Sequence, residues 1–129
     1  HLRAVLLERA GRLDEARKSY LRALLLEPDS GESTVNLALL LGRMNRAPQG
    51  IERLDELLER HPMAEGAWRN RGLLKNSLGD VRGLEGDLET AQSILPRSEL
   101  ARALAGIRRR LGDESGARIW EQRARQLGP

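Results

Sequence analysis

The chain has 129 residues, a formal net charge of +3 and no cysteine. This length admits one compact domain or a short stacked array, and the lack of cysteine excludes disulfides and cysteine-based zinc sites and leaves the redox compartment unread. No run of about 18 apolar residues occurs, so no membrane span is expected.

Apolar content comes mainly from Leu and Ala, and the only aromatics are Tyr20, Trp68 and Trp120; that composition favours helices. Residues 1–10 read as a first helix, with Leu2, Val5, Leu6 and Arg9 at helical spacing and Gly11 as its stop. A second helix over 13–27 carries an expected apolar stripe of Leu13, Ala16, Tyr20, Ala23, Leu24 and Leu26 and ends at Glu27-Pro28, because proline disfavours helix before itself. Asp29, with Glu32 three residues on, predicts a capping box for a third helix over 31–43. Asn45 takes the turn position that Gly11 held. Pro48 fits the first turn of a fourth helix, where its missing N–H costs little, and His61-Pro62 closes that helix. A fifth helix is expected over 65–78, with a Gly79-Asp80 turn and a sixth over 81–94, weakened by Gly83 and Gly86 at about 1 kcal/mol each relative to Ala. Pro96 stops it. A seventh over 98–111 and an eighth ending at Leu127 flank Gly112-Asp113. No strand-like alternation appears.

Pro28, Pro62 and Pro96 are each 34 residues apart, and Pro129 follows 33 residues later. A fixed period of this length marks a stacked repeat array. The turn residues Gly11, Asn45, Gly79 and Gly112 keep the beat. So do Ala4, Ala38, Gly72 and Ala105 in the first helices, and Ala16, Gly50, Leu84 and Ala117 in the second. Tyr20, Leu54, Leu88 and Glu121 follow as bulky positions, then Ala23, Leu57, Ala91 and Ala124. In this pattern the chain resembles the tetratricopeptide repeat over nearly its whole length. The resemblance implies an all-α, right-handed α-solenoid of four antiparallel helix pairs, with units near 1–30, 31–64, 65–98 and 99–129. Small residues are wanted where two helices cross closely, and a larger neighbour fills the adjacent hole. Leu84 and Glu121 depart from the pattern, and Trp120 is expected to take over the bulky role beside Glu121. The first unit lacks its opening residues and no polar capping helix follows Leu127, so both ends are expected to expose apolar surface and to permit self-association. Beginning at His1, the chain reads as a piece of a longer one.

Catalysis gains no support from the sequence. His1 and His61 are the only histidines, and His61 is expected to interact with a helix C-terminus. No HExxH, Gly-x-Ser-x-Gly or P-loop pattern occurs, and the glycine-rich stretch 79–86 lacks a preceding strand and a Gly-Lys-Ser/Thr ending. Neither metal nor cofactor is expected. Asp55-Glu56 and Glu52-Glu59 read as solvated helix faces.

The resemblance implies instead that the first helix of each unit lines a concave, protein-binding groove. Its lining maps to Val35, Asn36, Leu39 and Arg43, then Arg69, Asn70, Leu73 and Asn76, then Arg102 and Arg109. Asn36 and Asn70 are 34 apart and are expected to line up; an amide can pair with both the N–H and the C=O of a partner's main chain. Arg43, Arg69 and Arg102 suit acidic groups, since guanidinium pairs bidentately with carboxylates. Arg108-Arg109-Arg110 cannot form one face, because successive helical residues point about 100° apart. The expected function is a scaffold that captures an extended or helical partner segment, acidic in character. The alternatives are assembly through the array's ends or nucleic-acid binding by the Arg-rich fourth unit; the scarcity of Lys (only Lys18 and Lys75) argues against the latter. A soluble, cytoplasmic or periplasmic protein of bacterial source is the compositional expectation.

Overall fold

The computed structural model describes residues 2–9 and 11–128, with Glu8 by its backbone alone. Among these residues the chain forms helices and no strand. They are α1 (Leu2–Arg9), α2 (Leu13–Leu26), α3 (Gly31–Arg43), α4 (Ala47–Arg60), α5 (Glu65–Ser77), α6 (Val81–Ile94), α7 (Ser98–Arg110) and α8 (Glu114–Leu127). The expected pairs are present: α1 packs on α2, α3 on α4, α5 on α6 and α7 on α8. Each pair then stacks on the next through α2–α3, α4–α5 and α6–α7, and α3 also touches α5.

The turns inside the pairs share one geometry. Gly11, Asn45, Gly79 and Gly112 all have positive φ, between 62° and 86°. The residue after each donates its N–H back five residues, as in Arg46 to the Leu41 carbonyl at 2.7 Å and Asp80 to that of Lys75 at 2.9 Å. These bonds satisfy carbonyls that the helix end would otherwise leave orphaned. Asp80 and Asp113 then cap the following helices, accepting from the Gly83 and Gly116 N–H groups at 2.8 and 2.9 Å. At α3 the expected capping box is not formed. Ser30 is the N-cap, its hydroxyl accepting from the Ser33 N–H at 3.2 Å. Asp29 instead accepts from Arg60 Nε at 3.1 Å and lies 2.9 Å from His61 Nε2. His61 closes α4 through its backbone N–H, which bonds the Leu57 carbonyl, while its ring serves the link to the preceding turn.

The core runs along the stack as successive apolar clusters. Tyr20, Leu37 and Leu40 anchor the first, Leu54, Leu57 and Leu74 the second, and Leu88, Leu104 and Ile107 the third. Each such side chain contributes about 1.5–3 kcal/mol by leaving water. Trp68 packs against both the second and third clusters, and its indole N–H donates to the Pro62 carbonyl at 2.8 Å.

The large Leu84 at a helix crossing has a structural compensation. In the second unit Gly50 lies against Ala38, and a Cβ on Gly50 would meet the Ala38 carbonyl oxygen at 2.6 Å. In the third unit the sizes are exchanged: Leu84 occupies the Gly50 position and Gly72 the Ala38 position. A Cβ on Gly72 would approach Leu84 Cδ1 at 3.3 Å. The two helices reach close packing by either allocation of volume.

Candidate interaction surface

The units stack in register, so residues one period apart on α3 and α5 occupy equivalent places on neighbouring helices. Asn36 and Asn70 are both half-buried, Val35 and Leu39 are half-buried, and Leu73 stands 49% exposed. Arg43 and Arg102 are exposed, Arg69 and Asn76 half-buried. Val35 leans on the second apolar cluster.

Several of these groups already have partners. Asn70 Nδ2 donates to the Gly66 carbonyl one turn earlier at 2.7 Å. Its Oδ1 and second amide hydrogen carry the remaining bonding capacity. Asn36 and Arg43 are each engaged within the chain as well. Arg69 Nε lies 3.5 Å from Glu65, whose other oxygen accepts from Arg97 Nη2 at 2.9 Å. Arg102 lies loosely over the Ser98 hydroxyl at 3.4 Å. Arg109 crosses to α8, where Glu114 and Glu121 hold it; those hydrogen bonds, Glu114 first, raise its pKa. The Arg108-Arg109-Arg110 run divides as its helical geometry demands: Arg108 turns to Glu85 and Glu89 on α6, Arg109 to α8, and Arg110 to solvent. Trp120 packs against the third cluster, as expected, with Arg123 over its ring at 4.6 Å.

Sequence reasoning missed an ionic joint between the second and third units. Arg71 on α5 makes two hydrogen bonds to Asp87 on α6, at 3.0 and 2.8 Å, and a third to Asp55 on α4 at 2.8 Å. Lys75 reaches the same Asp87 at 3.2 Å, and the Arg71 guanidinium sits 4.7 Å from the centre of the Trp68 ring. Asp87 is only 4% exposed. Bonding to Asp87, more than to Asp55, raises the Arg71 pKa above its ordinary value despite the opposing effect of burial. Asp55, its side chain 48% exposed, keeps the solvent-facing place expected of it and also joins Arg71; Glu52, Glu56 and Glu59 are exposed. The partners are 16 residues apart and on three different helices, so no local pattern announces them.

Among the described residues no His, Cys, Asp and Glu cluster is arranged to hold a metal ion, and no helix is long and apolar enough to cross a membrane. The fold and its period define an α-solenoid of helix–turn–helix units. The build is that of the tetratricopeptide repeat, whose family model matches residues 35–81. Among solved structures, MamA is 15% identical with a TM-score of 0.80, over 98% of this chain and 74% of that one. MamA 41-end from Desulfovibrio magneticus RS-1 gives 15% identity and a TM-score of 0.79 over 96% and 71%. MamA MSR-1 gives 18% and 0.74 over 96% and 72%. At these identities the likeness is one of fold. No curated protein matches the chain.

Proposed function

We propose that the chain is a protein-interaction scaffold that captures a segment of a partner protein along the face formed by α3, α5 and α7. The observation that carries this reading is the register of that face. Asn36 and Asn70 hold equivalent positions one 34-residue period apart on α3 and α5, as do Leu39 and Leu73, and Leu73 is exposed although it is apolar. Leu39, Leu73 and Val35 supply apolar contact, the asparagines hold main-chain groups, and Arg43, Arg69 and Arg102 select acidic side chains. The tetratricopeptide build supports it, since helix pairs stacked in this way present an extended surface to a partner.

The test is affinity capture from the source cell's lysate with mass spectrometry, comparing wild type with an Asn36→Ala/Asn70→Ala variant of equal helicity. Proteins held by the wild type and lost by the variant are the expected result. Retention of the same proteins by both would overturn the role of the asparagines, and loss on Leu39→Glu/Leu73→Glu would then decide whether the face itself is used.

A further inference from the structure

The second helices α2 and α4 flank a cleft whose floor is α3. It consists of two adjoining hollows, of about 460 and 400 Å3, that share Leu21, Arg53 and Glu56. Its α4 wall runs from Gln49 to Arg60, three turns or about 16 Å at 1.5 Å per residue. Buried Leu37 and Leu41 form the floor, and Leu21, Leu24 and Leu25 line the α2 side.

Equivalent places at the two later junctions are tied by ion pairs. Arg71 and Lys75 hold the positions of Leu37 and Leu41 one period on, and Arg71 bonds Asp55 on one wall and Asp87 on the other. A unit further, Arg108 holds the Leu41 position and reaches Glu85 and Glu89 on α6 at 3.1 and 3.2 Å. The first cleft has no such tie. Leu21 and Arg53 stand where Asp55 and Asp87 bridge the next one, and among the described residues no ion pair joins α2 to α4; Arg60, at the end of the α4 wall, is held by Asp29. Arg17 on the α2 wall has its Nε shut off from water and without a hydrogen-bond acceptor, and Asp14 of the same helix stands 4.0 Å away. A donor in that state is unfavourable until an acceptor reaches it.

We propose that this cleft is a docking site for one amphipathic helix of a partner protein, its apolar stripe edged by a carboxylate on one side and a basic residue on the other. The stripe rests on Leu21, Leu37 and Leu41. The carboxylate accepts from Arg17, and the basic residue meets Glu52 and Glu56, which lie one turn apart and exposed on α4. A helix suits the cleft because it satisfies its own main chain. An extended segment would lay unpaired N–H and C=O groups on a leucine floor, between walls whose backbone is already bonded. The site uses a different side of α3 from Asn36 and Leu39, since residues 37 and 41 point away from 36 and 39 at about 100° per residue. It stands whether or not the face of α3, α5 and α7 binds.

The probe is a synthetic capped helix of about four turns, with leucines at i, i+3, i+4 and i+7 spacing, glutamates along one edge and lysines along the other. In an NMR titration to millimolar probe, the Leu21, Leu37 and Leu41 methyl signals should shift and the Arg17 Nε–H signal should become slow to exchange. Changing the probe's glutamates to glutamine should weaken binding about tenfold, the scale of a hydrogen bond to a charged group. Arg17→Gln should weaken the glutamate probe alike and leave the glutamine probe unchanged. Should Arg17→Gln lose helicity, Glu52→Gln/Glu56→Gln, on the exposed wall, should weaken the lysine-edged probe and not one edged with glutamine in place of lysine. Equal binding of the glutamate and glutamine probes overturns the proposal, as do shifts confined to Asn36, Leu39 and Leu73, tighter binding of a probe held extended by central prolines, or no shift at all.

Discussion

Gly50 lies directly against the backbone of Ala38. A methyl group added to Gly50 would sit 2.6 Å from the Ala38 carbonyl oxygen and 2.9 Å from a Leu74 methyl. Backbone cannot yield as a side-chain tip can, so Gly50→Ala is expected to cost about 1–3 kcal/mol through overpacking. Gly86, in the interior of α6, has open space around its Cβ position, and Gly86→Ala should stabilise by about 0.5–1 kcal/mol. Urea unfolding of both variants checks the pair, and equal effects at the two sites would overturn the packing argument.

The Arg71–Asp87 joint should behave as a buried ion pair. Asp87→Asn leaves an arginine that is only 17% exposed with its main acceptor weakened, and a loss of about 3 kcal/mol is expected. Arg71→Met/Asp87→Leu removes both charges, and an apolar pair of similar volume should recover most of that loss. A double-mutant cycle by chemical denaturation measures the coupling; additive effects of the two changes would remove it.

Asn45 is the one described residue other than glycine with positive φ, at 62°. Asn45→Gly should therefore hold or raise stability, by up to about 1 kcal/mol, while Gly79→Ala, with φ at 86°, should lower it by about 1–2 kcal/mol. Thermal melts of the two variants should shift in opposite directions or, for Asn45→Gly, not fall.

The Asp29 carboxyl is held below its ordinary value of 3.8, by the hydrogen bond with His61 first and that from Arg60 second. A carboxyl depressed on folding contributes stability above its unfolded pKa, and that contribution disappears as pH falls through the lower folded value. Carbon-detected NMR titration of Asp29 should give a midpoint under 3.8, and His61→Gln should move it upward. An unmoved midpoint would show that the ring does not set it.

Much of the architecture was legible because it depends on residues with few substitutes. Positive φ at four turns admits glycine or asparagine, and Gly11, Asn45, Gly79 and Gly112 announce the period in the sequence itself. Prolines at the unit ends and small residues at the crossings did the same. What escaped was pairwise and long-range. Ser30 displaced Asp29 as the cap because Asp29 was taken by Arg60 and His61, about thirty residues away. Asp55 and Glu56 look alike in sequence, yet only Asp55 faces Arg71. Leu84 departs from the small-residue pattern, and Gly72 opposite it supplies the missing space. For the candidate surface, the sequence placed Asn36 and Asn70 in register but was silent on the Gly66 carbonyl that occupies Asn70, and on the two carboxylates that occupy Arg109.

The exchange of sizes between Ala38–Gly50 and Gly72–Leu84 also bears on how the chain finds its fold. A repetitive polypeptide risks pairing a helix with the right partner from the wrong unit. Were α3 to take up α6, Leu84 would meet Ala38 where only glycine fits. Were α5 to take up α4, two glycines would face each other across a void. Each mispairing is penalised by volume alone, so the two hairpins carry an address that their common period lacks. The feature that breaks the repeat pattern would thus disfavour swapped pairing between these two hairpins by volume alone.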